Sequence, residues 1–301
     1  MFHFLLSKCT SKVIAPSVSL WKGGDQLRFF QADLHEEGSF DEAVKGCVGV
    51  FHIAASMELN VSDKENNGAR KKRTTYISMK FSRFKKLIYP GLSRFSKLTN
   101  IRLAEAFVQA NIINPAIKGT INLLKSCLKS NSVKRVVFTS SISTVTAKDI
   151  NGKSKHIVDE SCQIHPDTCM EHTSKWMGLF LWWQVYALSK LLTEEAAFQF
   201  AKENGIDLVS VITSTVAGPF FTANVLTSVK VLLSPLTGET EYFKILSAVN
   251  ARMGSIALVH IEDICSAHIF LTEHAKAEGR YKCSSQSCTL SNLATLLSKV
   301  Y

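Results

Sequence analysis

Residues 185–212 read VYALSKLLTEEAAFQFAKENGIDLVSVI. From Tyr186 to Asn204 the apolar positions recur at the spacing of an amphipathic helix, Gly205 stops the run, and residues 206–212 follow as a short apolar segment suited to a buried strand. Such strands, alternating with helices and lacking the polar alternation of a half-exposed sheet, predict a parallel sheet covered on both faces.

The same rhythm appears on either side of this stretch. Upstream, residues 106–128 carry apolar side chains at helical spacing (Ile112, Ile113, Ala116, Ile117, Ile121, Leu124) and lead into the strand-like RVVFT of 135–139. Nearer the start, LRFFQ (27–31) and VGVFHIAA (48–55) are apolar runs. They flank a capping-box pattern, Ser39-Phe-Asp-Glu42, that opens a short helix through Lys45 before Gly46 closes it. The order is strand, helix, strand throughout, which is a doubly wound α/β fold.

Beyond Gly218 the rhythm loosens. Helical stretches at 227–233 and 239–251, a strand at 256–260, a helix at 262–272, a strand at 280–284 and a last helix from Thr289 read as a smaller, mixed C-terminal lobe. The expected division is 1–217 for the parallel-sheet domain and 218–301 for the substrate-side lobe.

Composition supports a folded protein. Of 301 residues 46% are hydrophobic and 20% charged, with only 15 Gly and 6 Pro, which rules out disordered and low-complexity classes. The net charge of +10 is local: eleven Lys and Arg and no acidic residue lie between Gly68 and Ala104, and removing those eleven leaves the rest of the chain at −1. This basic segment, interleaved with Phe81, Phe84, Tyr89 and Phe95, has the ingredients of an anionic-surface or nucleic-acid binder. No nucleic-acid module surrounds it, so it reads first as a solvated loop and no nucleic-acid partner is expected.

Eight cysteines without any C-x-x-C pair read as buried reduced thiols, and no histidine has metal spacing, so no metal is expected. The most apolar window, 176–192, is broken by Gln184, Ser189 and Lys190, so a membrane span is not expected. The apolar patch at 4–6 precedes Lys8 and Lys12, the reverse of a secretory signal, and a cytoplasmic location is the default expectation.

The chemistry centres on Tyr186 and Lys190, which stand at i and i+4 on one helix face. A lysine there is expected to lower the phenol's pKa so that the tyrosine protonates a substrate oxygen. Thr139-Ser140-Ser141 ends a strand, and ligands bind at the carboxyl ends of parallel strands, so a hydroxyl there could hold the same oxygen. His52, inside an apolar strand, reads as a satisfied core residue, and Asp263 as a helix cap.

Four collinear blocks carry a resemblance: ADLHEEGSFDEAVKGCVGVFHIAAS (32–56), NIINPAIKGTINLLKSCLKSNSVKRVVFTSSIS (111–143), residues 185–212 and AGPFF (217–221). Together they resemble the plant reductases of the extended short-chain dehydrogenase/reductase family. The nearest group is the dihydroflavonol, anthocyanidin and cinnamoyl-CoA reductase branch, whose core is Rossmann-like. The resemblance implies Tyr186 as proton donor and as a residue at the cofactor, Lys190 as the holder of the nicotinamide ribose and Ser141 as the group that orients the carbonyl. It implies Asp33 and Leu34 at the adenine, and Ala54, Ala55 and Ser56 at the ribose and pyrophosphate. Thr213 and Ser214 fall at the nicotinamide pocket, and Thr146 at the substrate position where dihydroflavonol reductases carry Asn. The implied cofactor is NADPH and the implied substrate a carbonyl or flavonoid-type phenolic, nearest that of anthocyanidin reductases.

The chain also departs from the family. The T-G-x-x-G-x-x-G loop that binds pyrophosphate at a helix start is missing, and the only glycines three apart, Gly46 and Gly49, lead from helix into strand. Segments 8–19, about 63–107 and 176–183 interrupt the family blocks abruptly. The expectation drawn from these is a truncated, mis-spliced or intron-retaining product. Its alternative function is that of a catalytically inactive relative that does not hold cofactor.

Overall fold

The computed structural model describes residues 2–7, 27–53, 106–146, 153, 155, 157–166, 179–220 and 225–299. The basic segment 68–104, the interruption 8–19 and the expected cofactor residues Ala54, Ala55 and Ser56 lie outside them.

The main sheet is parallel throughout and runs β3 (Gly49–His52), β4 (Arg135–Ser141), β5 (Leu208–Thr213), β8 (Gly279–Cys283). Two further strands, β1 (Phe2–Ser7) and β2 (Leu27–Ala32), form a parallel pair of their own. The sequence reading assigned no strand to residues 2–7. The third sheet is mixed: β6 (Thr215–Ala217), β7 (Ile256–His260) and β9 (Gln286–Cys288), with β9 antiparallel to β7.

The apolar strands are buried on both sides, as their composition predicts. Val136 and Phe138 point to α2 (Asn114–Ser130) and α3 (Leu179–Asn204), where they meet Leu123, Leu124, Cys127, Ala197 and Ala201. Val137, Val209 and Val211 point the other way, onto Ile264, Leu271 and Ala277 of α6 (Ile261–Glu273) and the loop after it. At roughly 1.5–3 kcal/mol for each fully buried large aliphatic side chain, these two layers are the chief stabilisation of the fold. β2 joins the first layer through Ala32 and Leu34. A Cβ on Gly119 of α2 would come within 2.9 Å of Leu34 Cβ, so only glycine lets the helix approach this closely.

Arg135, buried at the start of β4, donates to Asp207 Oδ2 through Nε (2.9 Å) and Nη2 (2.6 Å). It also reaches the carbonyls of Leu271 (2.8 Å) and His274 (2.6 Å), which the C-terminal end of α6 leaves without helical partners. The second lobe packs α4 (Thr227–Thr237), α5 (Thr240–Met253) and α7 (Leu290–Ser298) around Leu232, Leu246, Ile256 and Leu293.

Three local readings change. Ser39 forms no capping box: its hydroxyl donates to Asp33 O (2.7 Å) and accepts from Asp33 N (3.0 Å), and α1 (Asp41–Val44) begins after Phe40 with no side-chain cap. Asp263 does not cap α6. His260 does, accepting from Glu262 N through Nδ1, while Asp263 takes the Ser285 hydroxyl. Finally, α3 begins at Leu179, so residues 179–183 extend the helix. From Gln184 to Glu194 it is covered on nearly every side, because the sheet, α2 and α5 all pack there, and it becomes amphipathic only after Glu195.

Candidate active site

β4 and β5 end side by side, with Ser141 in register with Thr213, and α3 runs back over these ends. The parallel arrangement therefore puts Ser141, Thr213 and Ser214 at the carboxyl edge of the sheet, where the helix delivers Tyr186 and Lys190.

Ser141 is fixed from both sides of its peptide. Its Oγ accepts from Ser143 N (3.2 Å), capping the single helical turn Ile142–Thr144, and its carbonyl accepts the Thr144 hydroxyl (2.9 Å). Arg252 of α5 holds the same turn by donating to Ser143 O (3.2 Å) and Val145 O (3.0 Å). The Ser141 and Tyr186 side chains are hydrogen-bonded to each other at this edge.

Lys190 is 7% exposed, and its Nζ donates to Thr139 O at 3.0 Å while lying 5.6 Å from the centroid of the Phe138 ring. Burial lowers its pKa to about 8, against the opposing pull of Glu194. The Tyr186 phenol moves opposite to the sequence expectation. Burial pushes it up, and what draws it back is the hydrogen bond from Ser141. The reason is geometric: the ammonium is bound to the strand carbonyl one turn away.

Thr213 donates to Ser140 O (3.2 Å), which keeps the ends of β4 and β5 together. Ser214 N donates to Cys283 O (3.1 Å), and its buried Oγ has no hydrogen-bond partner among the described residues. Thr146, beyond the Ser141 turn, donates its N–H to Cys162 O (2.9 Å). Asp33 and Leu34 directly follow β2 of the separate two-stranded sheet. Asp33 Oδ1 accepts from His35 N (3.0 Å), and Leu34 is buried, its carbonyl accepting from Asn122 Nδ2 (2.8 Å). His52 is a satisfied core histidine, 2.8 Å from Thr120 Oγ1, and burial with the nearby Lys190 charge lowers its pKa to about 3.

Sequence reasoning missed Glu194, Arg280, Arg252 and His268. Glu194 was within reach of it: four residues after Lys190 and eight after Tyr186, it shares their helix stripe. The other three belong to elements that meet the site only in three dimensions.

A nicotinamide cofactor fits the ribose end of this edge. The Lys190 ammonium carries three N–H donors, one of them on Thr139, and the orphaned Ser214 hydroxyl stands at the neighbouring strand end. Among the described residues no His, Cys, Asp or Glu cluster could hold a metal ion, and no helix is long and apolar enough to cross a membrane.

Residues 98–283 match the NAD dependent epimerase/dehydratase family. A Ginkgo biloba protein bearing the name anthocyanidin reductase is 38% identical over 92% of this chain and 66% of its own length. Tetraketide alpha-pyrone reductase 1 of Arabidopsis thaliana is 36% identical over 94% of this chain and 68% of its own. The crystal structure of vestitone reductase from alfalfa, 26% identical, superposes with a TM-score of 0.66 over 99% of this chain and 73% of that one. The chain thus spans about two thirds of the length of these curated relatives. With the motif, the sheet edge and these likenesses in agreement, the chain belongs to the NAD dependent epimerase/dehydratase family, in the branch of the plant anthocyanidin, dihydroflavonol and pyrone reductases.

Proposed function

We propose that the protein is an NADPH-dependent oxidoreductase that reduces a carbonyl or flavonoid-type phenolic substrate, nearest in chemistry to an anthocyanidin reductase. The observation that carries this reading is the Ser141 to Tyr186 hydrogen bond, made at a parallel-sheet edge with Lys190 anchored on Thr139 beside it. When bound, the reduced nicotinamide supplies the hydride.

The chain's own residues do the rest. A substrate oxygen that enters between Ser141 and Tyr186 replaces their mutual hydrogen bond and accepts one from each hydroxyl as negative charge develops on it. Tyr186 then gives up its proton to that oxygen. A phenol raised by burial is fully protonated at neutral pH, the form a proton donor needs. Lys190 directs its remaining N–H donors toward the ribose hydroxyls. Thr213 and Ser214 line the nicotinamide end, Thr146 the substrate end, and Asp33 with Leu34 the adenine end, where Ala54, Ala55 and Ser56 are assigned the ribose and pyrophosphate.

The test is NADPH binding by the purified chain, followed by fluorescence or calorimetry, then a reductase assay on flavonoids with Tyr186→Phe as control. Micromolar binding with turnover that the variant loses supports the reading. A folded chain that binds no NADPH overturns it in favour of a non-catalytic relative.

A further inference from the structure

Glu194 sits one helical turn beyond Lys190 on α3 and is 2% exposed. Its Oε2 accepts from Ser140 Oγ of β4 (3.0 Å), and its Oε1 accepts from Ser210 Oγ of β5. Arg280 of β8 donates to both oxygens, Nε to Oε1 and Nη2 to Oε2, each at 3.2 Å. One carboxylate therefore ties the helix that carries Tyr186 and Lys190 to three adjacent strands.

Arg280 reaches further, to Glu160 O (2.9 Å), Gln163 Oε1 (3.2 Å) and Thr144 Oγ1 (3.3 Å). The residues held by the pair include Ser140, directly before Ser141, and Thr144, which closes the turn that Ser141 caps. Burying a carboxylate and a guanidinium costs several kcal/mol per ion before their attraction is counted, and apolar residues of similar volume pack such a place at least as stably. Stability alone therefore gives no reason for two ions at this point.

The charges that face Lys190 supply one. On its own helix these are Tyr186 and Glu194; from β3 comes His52, neutral above about pH 3; from β4 come the Thr139 carbonyl and the Phe138 ring. Among the described residues Glu194 is the one carboxylate acting on the ammonium, and Arg280 is ion-paired to that carboxylate.

We propose that Glu194 and Arg280 are a positioning pair for the active site, which balances the charge of Lys190 and fixes Ser141 against Tyr186. This rests on the reductase reading above. Glu194 touches no reacting atom and acts through Lys190, Ser140 and, by way of Arg280, Thr144.

The test is an NMR titration of the full chain with ¹³C-labelled lysine, the Lys190 signal being assigned by its loss in Lys190→Arg. Glu194→Gln is expected to lower the Lys190 midpoint by about one pH unit, and Arg280→Gln, which leaves Glu194 unbalanced, to raise it by about the same amount. Glu194→Asp, which keeps the charge, is expected to hold it near the original value. Shifts of opposite sign belong to a charge role, because loss of packing would not reverse direction between the two variants. An unmoved midpoint in either folded variant overturns the proposal, and each variant is read by itself, so one that does not fold leaves the other deciding. NADPH binding by the unaltered chain is measured on the same sample. Its failure would sink the reductase reading while leaving the lysine titration readable.

Discussion

The Thr139 hydroxyl lies 2.8 Å from His268 Nε2, while the carbonyl of the same residue takes the Lys190 ammonium at 3.0 Å. His268 Nδ1 is 2.7 Å from Ile264 O, which can only accept, so Nδ1 carries the proton and Nε2 accepts from Thr139. The residue that anchors the lysine is itself anchored by a neutral histidine on the opposite face of the sheet.

Neutral buried histidines make stability fall in mild acid. His52 is lowered to about 3 and His268 is lowered too, both by burial, whereas each regains an ordinary imidazole when the chain unfolds. The unfolded state therefore binds more protons, so their contribution is fully present above about pH 6.5 and is lost as pH falls toward the folded values. His52 alone is expected to remove roughly 1.4 kcal/mol per pH unit across that window. Urea unfolding at a series of pH values measures the slope, which should be shallower in His52→Gln.

Tyr186→Phe keeps the ring and removes the proton donor. Turnover is expected to drop by about 10²- to 10⁴-fold, with NADPH binding changed by less than about threefold. Turnover unchanged in the variant at saturating NADPH would mean that the phenol is not the acid.

Lys190 sets two opposed trends in alkali. Its folded pKa of about 8 lies below its unfolded value, so the cost of burying the charge is relieved as pH rises, and stability should climb between about pH 8 and 10.5. Over the same range the Lys190 ammonium is lost, so on the proposed reductase reading NADPH affinity should decline. Thermal melts and binding isotherms on one pH series check both signs.

Arg135→Ala strips partners from the carbonyls of Leu271 and His274 and opens a hole between β4 and α6. A destabilisation of about 3 kcal/mol is expected by chemical denaturation. Asp207→Asn should cost far less, since that carboxylate is 45% exposed and solvent screens it.

The strands at 135–139 and 206–212 were legible because burial on both faces leaves a continuous apolar run, and Gly205 and Gly46 marked helix ends through their positive φ. Tyr186, Lys190 and Ser141 were legible because one helix turn and one strand end carry them. What escaped depends on contacts distant in sequence. Ser39 prefers the Asp33 backbone, 6 residues back, to the helix start beside it, and the Tyr186 phenol is governed by burial and by Ser141, which local spacing does not encode. Arg280 read as an ordinary strand residue until the fold set it against Glu194, 86 positions away.

Because β2 is attached to the main layer by the side chains of Ala32 and Leu34 against α2, and its backbone ladder among the described residues runs only to β1, its amides should exchange with solvent as a separate unit. In deuterium exchange, 27–32 are expected to lose protection at far lower denaturant than 135–141 and 208–213. The segment around Asp33 and Leu34 and the sheet edge that carries Ser141 and Thr213 would then open and close on different clocks.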